Sequence, residues 1–266
     1  MSIRKAAVIL LTVISMLTVC SCGLWGEEET REYMELTQEE KELLCKLYIN
    51  DEKISQGELL SYQVRTVEQY RYAKETLERK YPSYEFDIFY CAPQTIADEH
   101  MMLYFEEPQG EETNQKVYTM YVYEEEEGYS AEDNFYGKIF SPKYEAYLYE
   151  NLQEVEPDIA KVKSGISSPQ GDEYDENMTV EDMLSGKVEI SSDTSIFILR
   201  ENVSEKEGEE IFDGVKHKII NDLRLEGTYQ VMIINDKDLL EKAKNKAISA
   251  EECLYKKIFH TWEEEE

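Results

Sequence analysis

The sequence predicts an α+β fold: a short N-terminal segment and tether, then one or two small modules in which helices pack on antiparallel sheet. Three observations carry that prediction. Apolar residues recur at helical spacing as far as Lys80, then at every second position from Tyr84. Turn formers separate the alternating runs, which marks them as neighbouring strands of a meander. Beyond Pro157 the chain loosens, then alternates helix and strand to its end. Across 266 residues, 41% hydrophobic and 11% aromatic content provides enough apolar surface for a folded core.

The elements follow in order. Thr37 and Glu40 form a capping box before "LLCKLYI", whose Leu43, Leu44, Leu47 and Tyr48 share one helical stripe. A second helix is predicted over Val67–Lys80, capped by Thr66 and Gln69, with Tyr70, Ala73 and Leu77 inward. Proline at 82 ends it. "YEFDIFYC" then places Tyr84, Phe86, Ile88 and Tyr90 on one face of a strand. "HMMLYFEE" and "KVYTMYVYEEEEG" give two more, with Gly128 closing the third. "FSPKYEAYLYENLQEV" reads as a helix with Ser141 at its cap and Pro142 in its first turn. Its inner side is marked by Tyr144, Leu148, Asn151, Leu152 and Val155. "SGISSPQGDEYDEN" reads as an exposed connection. After it come a short helix capped by Thr179, the strand "TSIFILRE", and a long amphipathic helix capped by Ser204 and Glu207. The strand "TYQVMIIN", the helix "DKDLLEKAKNKA" and the strand "ECLYKKIFHTW" complete the chain.

These boundaries divide the chain into residues 1–21 as an export signal, 22–60 as tether and first helix, and 61–156 as a helix-plus-meander module. Residues 157–178 form an acidic linker and 179–266 a second α+β module.

The head of the chain carries its own signal. Arg4 and Lys5 precede an uncharged apolar run from Ala6 to Val19. That run is shorter than the roughly 20 residues a membrane-spanning helix needs, and it suits the core of a secretory signal. It ends in "TVCSCG", which resembles the lipobox of bacterial lipoproteins. The resemblance implies cleavage before Cys22, with diacylglyceryl on its sulfur. Ser21 fills the small-residue slot and Val19 the apolar one. Cys20 is the alternative, with Val19 a poorer fit. Two acyl chains anchor stably where one is marginal, because each buried CH₂ contributes about 0.8 kcal/mol. The implied location is the cell membrane, with the body facing away from the cytoplasm. That body resembles uncharacterised acidic envelope lipoproteins. Its order from about Val67 to Tyr123 is similar to the cystatin-like and PepSY-like modules of bacterial envelope proteins, a likeness of topology that carries no function.

Charge narrows the partners. With 28 Lys+Arg against 58 Asp+Glu, the net charge is −30. Such a field repels phosphate backbones, so nucleic acid is not expected as a partner. The expected contacts are the membrane, through the lipid, and an envelope protein or cell-wall component.

Signatures of catalysis are absent. The chain contains no G-x-S-x-G, H-E-x-x-H, G-x-x-x-x-G-K or G-x-G-x-x-G, and its one S-x-x-K, Ser2–Lys5, lies inside the expected export signal. Its 3 histidines, His100, His217 and His260, read as surface or interfacial residues. A Cys253–His260 pair has nothing to favour it over packing, and spacing cannot select a disulfide among Cys45, Cys91 and Cys253. "DEYDEN" lacks the alternating ligands of a calcium loop. No metal or cofactor site is expected. Among the 20 tyrosines, Tyr121 and Tyr123 share a strand face, while Tyr118 points the other way. This region, Tyr118, Tyr121 and Tyr123, is the candidate binding surface, since exposed aromatic rows stack against flat ligand faces. The expected role is therefore a non-enzymatic binding or interaction module of the envelope. The alternatives are an envelope hydrolase and a solute-capture lipoprotein feeding a transporter.

Overall fold

The computed structural model describes residues 30–49, 52–95, 97–108, 116–167, 174–185, 191–242 and 248–261. The chain divides into two compact units, Met1–Glu68 and Gln69–Glu266.

In the first unit, the strands β1 (Arg31–Tyr33) and β2 (Glu58–Leu60) pair antiparallel around the helices α1 (Gln38–Leu47) and α2 (Glu52–Gln56). The Thr37–Glu40 capping box forms as predicted, satisfying backbone donors that the first turn leaves unpaired. Leu44, Ile54, Leu59 and Val67 build the core, with Met34, Leu36, Cys45, Tyr48 and Val64 packed against it. The described residues of the expected tether and first helix, 30–49 and 52–60, thus belong to a folded unit. The next helix, α3 (Ser61–Lys80), begins six residues before the predicted Val67, and the unit boundary falls within it. Gln63 draws the start forward, because its Oε1 accepts from the Leu60 N–H at 2.9 Å. Thr66 is consequently not a cap; its hydroxyl donates to the Tyr62 carbonyl one turn back.

The second unit holds two four-stranded sheets. β3 (Asp87–Ala92), β4 (His100–Glu106), β5 (Tyr118–Glu125) and β6 (Gly128–Asp133) form an antiparallel meander in that spatial order. One face is buried: Cys91, Met101, Leu103, Phe105, Tyr118, Met120, Val122 and Ala131 all lie in the core, as do Tyr70, Ala73 and Leu77 of α3.

The following helix, α4 (Phe135–Gln153), also starts early, at Phe135 rather than beside Ser141, so Pro142 sits inside it. Asp133 is the reason. Its Oδ1 accepts from the N–H groups of both Phe135 and Tyr136, a cap supplied by the end of a strand. Tyr144, Leu148 and Leu152 of this helix are buried as predicted, whereas Val155 is exposed.

The expected linker over 157–178 contains a strand. β7 (Ile159–Ile166) edges the second sheet, whose order is β10–β9–β8–β7. It follows a short connection from α4, and a Cβ on Gly137 would lie 2.9 Å from the Ile166 carbonyl oxygen, so α4 and β7 pack backbone to backbone. The run "AKVKSG" within β7 puts the polar Ser164 at a buried position and a glycine at 165, so it lacks a strong apolar alternation, which hid the strand from pattern reading.

After α5 (Val180–Leu184), with its Thr179 cap, come β8 (Ser192–Leu199), α6 (Glu205–His217) and a π-helical turn over Lys218–Leu223. β9 (Thr228–Ile234), α7 (Lys237–Lys242) and β10 (Tyr255–His260) complete the fold. β8 and β9 are parallel, joined through α6, while the outer pairs are antiparallel. The prediction of an α+β chain holds, and the second sheet is mixed rather than wholly antiparallel. β9 is covered on both faces. Tyr229 stacks on Phe259, which meets Phe212 of α6. On the other face Met232 and Ile234 join Phe197, Leu239 and Ile248.

Candidate functional site

The face of the first sheet turned away from the core is the strongest candidate. Its composition follows from strand register. Across β4 and β5, His100 pairs with Tyr123, Met102 with Tyr121 and Tyr104 with Thr119. Across β3 and β4, Tyr90 pairs with Tyr104 and Ala92 with Met102. A β-bulge between Ile88 and Tyr90 interrupts the simple alternation that "YEFDIFYC" suggested. Tyr90 therefore leaves the face of Ile88, and Cys91 takes the core position. Phe89 and Tyr90 stand 48% and 50% exposed.

The rings form two groups. The His100 ring meets Tyr121 edge-on at 4.9 Å and Tyr123 at 5.5 Å. Tyr104 lies between Phe89, stacked at 6.4 Å, and Tyr90 at 5.4 Å. These side chains hold one another in fixed orientations, which lowers the entropy a ligand must overcome. Burial against the sheet, aided by the carboxylate of Glu132 and by Tyr121, raises the Tyr123 pKa, so its hydroxyl stays protonated and can donate.

Of the three sequence candidates, Tyr121 and Tyr123 lie on this face and Tyr118 does not. Tyr118 is 3% exposed, with its ring edge-on to Phe135 at 4.8 Å. The structure adds Phe89, Tyr90, His100 and Tyr104. His100 and Tyr104 were within reach of sequence reasoning, since they share parity on β4. Tyr90 was not, because its orientation depends on the bulge.

Two polar centres, one buried and one at the surface, also bring ionisable groups together. Lys80 and Asp133 are both fully buried, 3.6 Å apart. The Lys80 ammonium lies 3.6 Å from the centre of the Tyr174 ring. Tyr81 and Tyr174 donate to the two Asp133 oxygens at 2.7 and 2.9 Å. A lysine, a carboxylate and two phenols suggest proton transfer, but the group is sealed from solvent and its bonds are engaged, so it is structural. Tyr174 belongs to the segment expected as solvated linker; instead it closes this cluster. At the second centre, Arg200 binds Glu156 and Glu207 with its terminal nitrogens, and Asp158 lies 3.0 Å from its Nε. It ties the end of β8 to α6 and to the loop after α4.

Cys45, Cys91 and Cys253 form no disulfide with one another. Cys253 and His260 do not form a pair. Cys253 precedes β10 and His260 ends it; Cys253 Sγ donates to the Ser249 carbonyl at 3.4 Å, and His260 Nδ1 bonds Thr228 Oγ1 at 3.0 Å. Among the described residues no three His, Cys, Asp or Glu side chains cluster as metal ligands. No described helix is long and apolar enough to cross a membrane. Cys20 and Cys22 lie outside the described residues.

No family model matches the chain, and no curated protein does. Among solved structures, it matches the crystal structure of a DUF5037 family protein from Ruminococcus gnavus, with 12% sequence identity and a TM-score of 0.31. The match covers 71% of this chain and 83% of that one.

Proposed function

We propose that the protein is a lipid-anchored module of a bacterial cell envelope, held outside the cytoplasm through Cys22, that binds a partner non-enzymatically. The observation that carries the binding role is the pair of aromatic groups on the open face of the first sheet, Phe89–Tyr90–Tyr104 and His100–Tyr121–Tyr123. Cross-strand ring pairs stabilise the sheet itself, and where they stand part-exposed they also offer flat, preoriented faces to a ligand. The lipobox resemblance and the acidic segment after it support the placement.

Two experiments test the proposal. Radiolabelled palmitate enters the wild-type protein and not a Cys22→Ala variant; equal labelling would reject the anchor. Wild-type protein solubilised in non-ionic detergent co-sediments with envelope material stripped of lipid, where the anchor contributes nothing, and Tyr104→Ala/Tyr121→Ala loses most of that association; unchanged sedimentation would reject the open face. Release of soluble fragments from purified wall, abolished by a single acid or cysteine substitution, would replace binding with hydrolysis.

A further inference from the structure

The open face has an ordered chemistry from end to end. At one end Asp87 pairs across the sheet with Glu106. The next rung is Tyr90, Tyr104 and Thr119, and the one after is Ala92, Met102, Tyr121 and Glu132. His100, Tyr123 and Ser130 follow, and Glu125 closes the far end. Aromatic rungs are thus bounded by carboxylates at both ends and along the β6 side.

Among the described residues the four strands carry no lysine or arginine, with sequences DIFYCA, HMMLYFE, YTMYVYEE and GYSAED. Some acids elsewhere in the fold are met by bases: Glu209 by Lys257, Glu154 by Lys218, and Glu156 by Arg200. Here, among the described residues, no ion pair engages Asp87, Glu106 or Glu132. The face therefore combines the negative faces of aromatic rings with unneutralised carboxylates. Both attract the same thing, a cation with an apolar or planar surface.

The spacing favours a polypeptide. Successive rungs along β4 are two residues apart, about 6.8 Å, and Glu106 to His100 spans about 20 Å. An extended chain has the same repeat, so basic side chains at every second position would meet successive rungs. From this charge complementarity, and resting on the binding role proposed above, we infer that the open face accepts an extended segment rich in arginine or lysine. Its guanidinium or ammonium groups stack on Tyr90, Tyr104, Tyr121 and Tyr123. Asp87, Glu106 and Glu132 supply the paired charges.

The test uses the full-length protein in non-ionic detergent and a fluorescein-labelled Arg-Gly repeat peptide, read by fluorescence anisotropy at physiological ionic strength. A Glu-Gly repeat and a neutral chito-oligosaccharide serve as comparison probes. The Arg-Gly peptide binds and the Glu-Gly peptide does not. Tyr104→Ala/Tyr121→Ala, which leaves the charge unchanged, weakens binding about tenfold. Glu106→Gln/Glu132→Gln weakens it by a similar factor. Glu201→Gln/Glu205→Gln removes the same charge from exposed positions near the start of α6 and changes affinity by less than about twofold. Circular dichroism confirms that each variant is folded.

An unchanged affinity in the tyrosine variant, or an equal loss in the Glu201/Glu205 variant, would mean attraction to net charge alone and would overturn the inference. Binding of the chito-oligosaccharide in place of the peptide, with the same dependence on Tyr104 and Tyr121, would overturn the cationic partner while leaving the open face as a binding surface. Failure of every probe while envelope association persists would likewise overturn only the cationic partner.

Discussion

Lys80 shows how single side chains decide this fold. Its ammonium is removed from water, and its cost is met by Asp133, by the Ala131 carbonyl at 3.5 Å and by the Tyr174 ring. Lys80→Met leaves the Asp133 carboxylate buried without its counter-charge. Stability in urea unfolding should fall by about 3–5 kcal/mol; an unchanged midpoint would show that the pair contributes nothing. The buried phenols give a second prediction. Burial, reinforced by Asp133, raises the Tyr81 pKa; burial, reinforced by Tyr229, raises that of Tyr144; and burial raises that of Tyr229 itself. These groups keep their protons when folded but lose them near pH 10 when unfolded. Their contribution is complete below about pH 10 and is lost as pH rises toward the folded values, at about 1.4 kcal/mol per pH unit for each group. Cys91 adds to the trend from about pH 9, its thiol being pushed up to about 12 by burial. Unfolding free energies measured across the alkaline range test this, and a flat profile above pH 10 would contradict it. At neutral pH, the Cys91 thiol should resist disulfide reagents until the protein unfolds.

At the scale of elements, packing reverses an intrinsic preference at Gly208. In an exposed helix interior Gly→Ala stabilises by up to about 1 kcal/mol. Here a Cβ would lie 2.5 Å from the Tyr255 ring, so α6 would have to withdraw from β10. Gly208→Ala should therefore destabilise, by about 1–3 kcal/mol in thermal or urea unfolding; a stabilised variant would contradict this packing.

The elements also show what could be read from sequence. Helices whose caps lie within a few residues were legible: Thr37, Thr179 and Ser204 each accept a backbone N–H three residues on. The start of α4 was not, because its cap, Asp133, closes a strand and looks like strand sequence. Glu207 followed Ser204 at capping spacing, yet its side chain turns to Arg200, a partner seven residues away that propensity cannot supply. The bulge at Ile88–Tyr90 hid Tyr90 from the candidate face for the same reason: parity along a strand can be counted, but an inserted residue cannot. β7 escaped because Ser164 fills a buried position and Gly165 an exposed one, which breaks the apolar alternation and reads as loop.

For the whole molecule, the excess of acid governs how stability responds to salt. A net charge of −30 opposes compaction, and the opposition weakens as salt shortens the Debye length. The midpoint of thermal unfolding should rise from low to physiological ionic strength; an unchanged or lower midpoint would show that the surface acids are already neutralised locally. The same charge would hold an anchored body away from anionic headgroups, leaving the open sheet face free for partners in the envelope. Everything about that setting depends on the chain beginning at an acylated sulfur. The direct measurement is mass spectrometry of the N-terminal peptide from membrane-extracted protein. A peptide starting at Cys22 and carrying diacylglyceryl is the expected result, and an unprocessed Met1 terminus without acyl mass would contradict it.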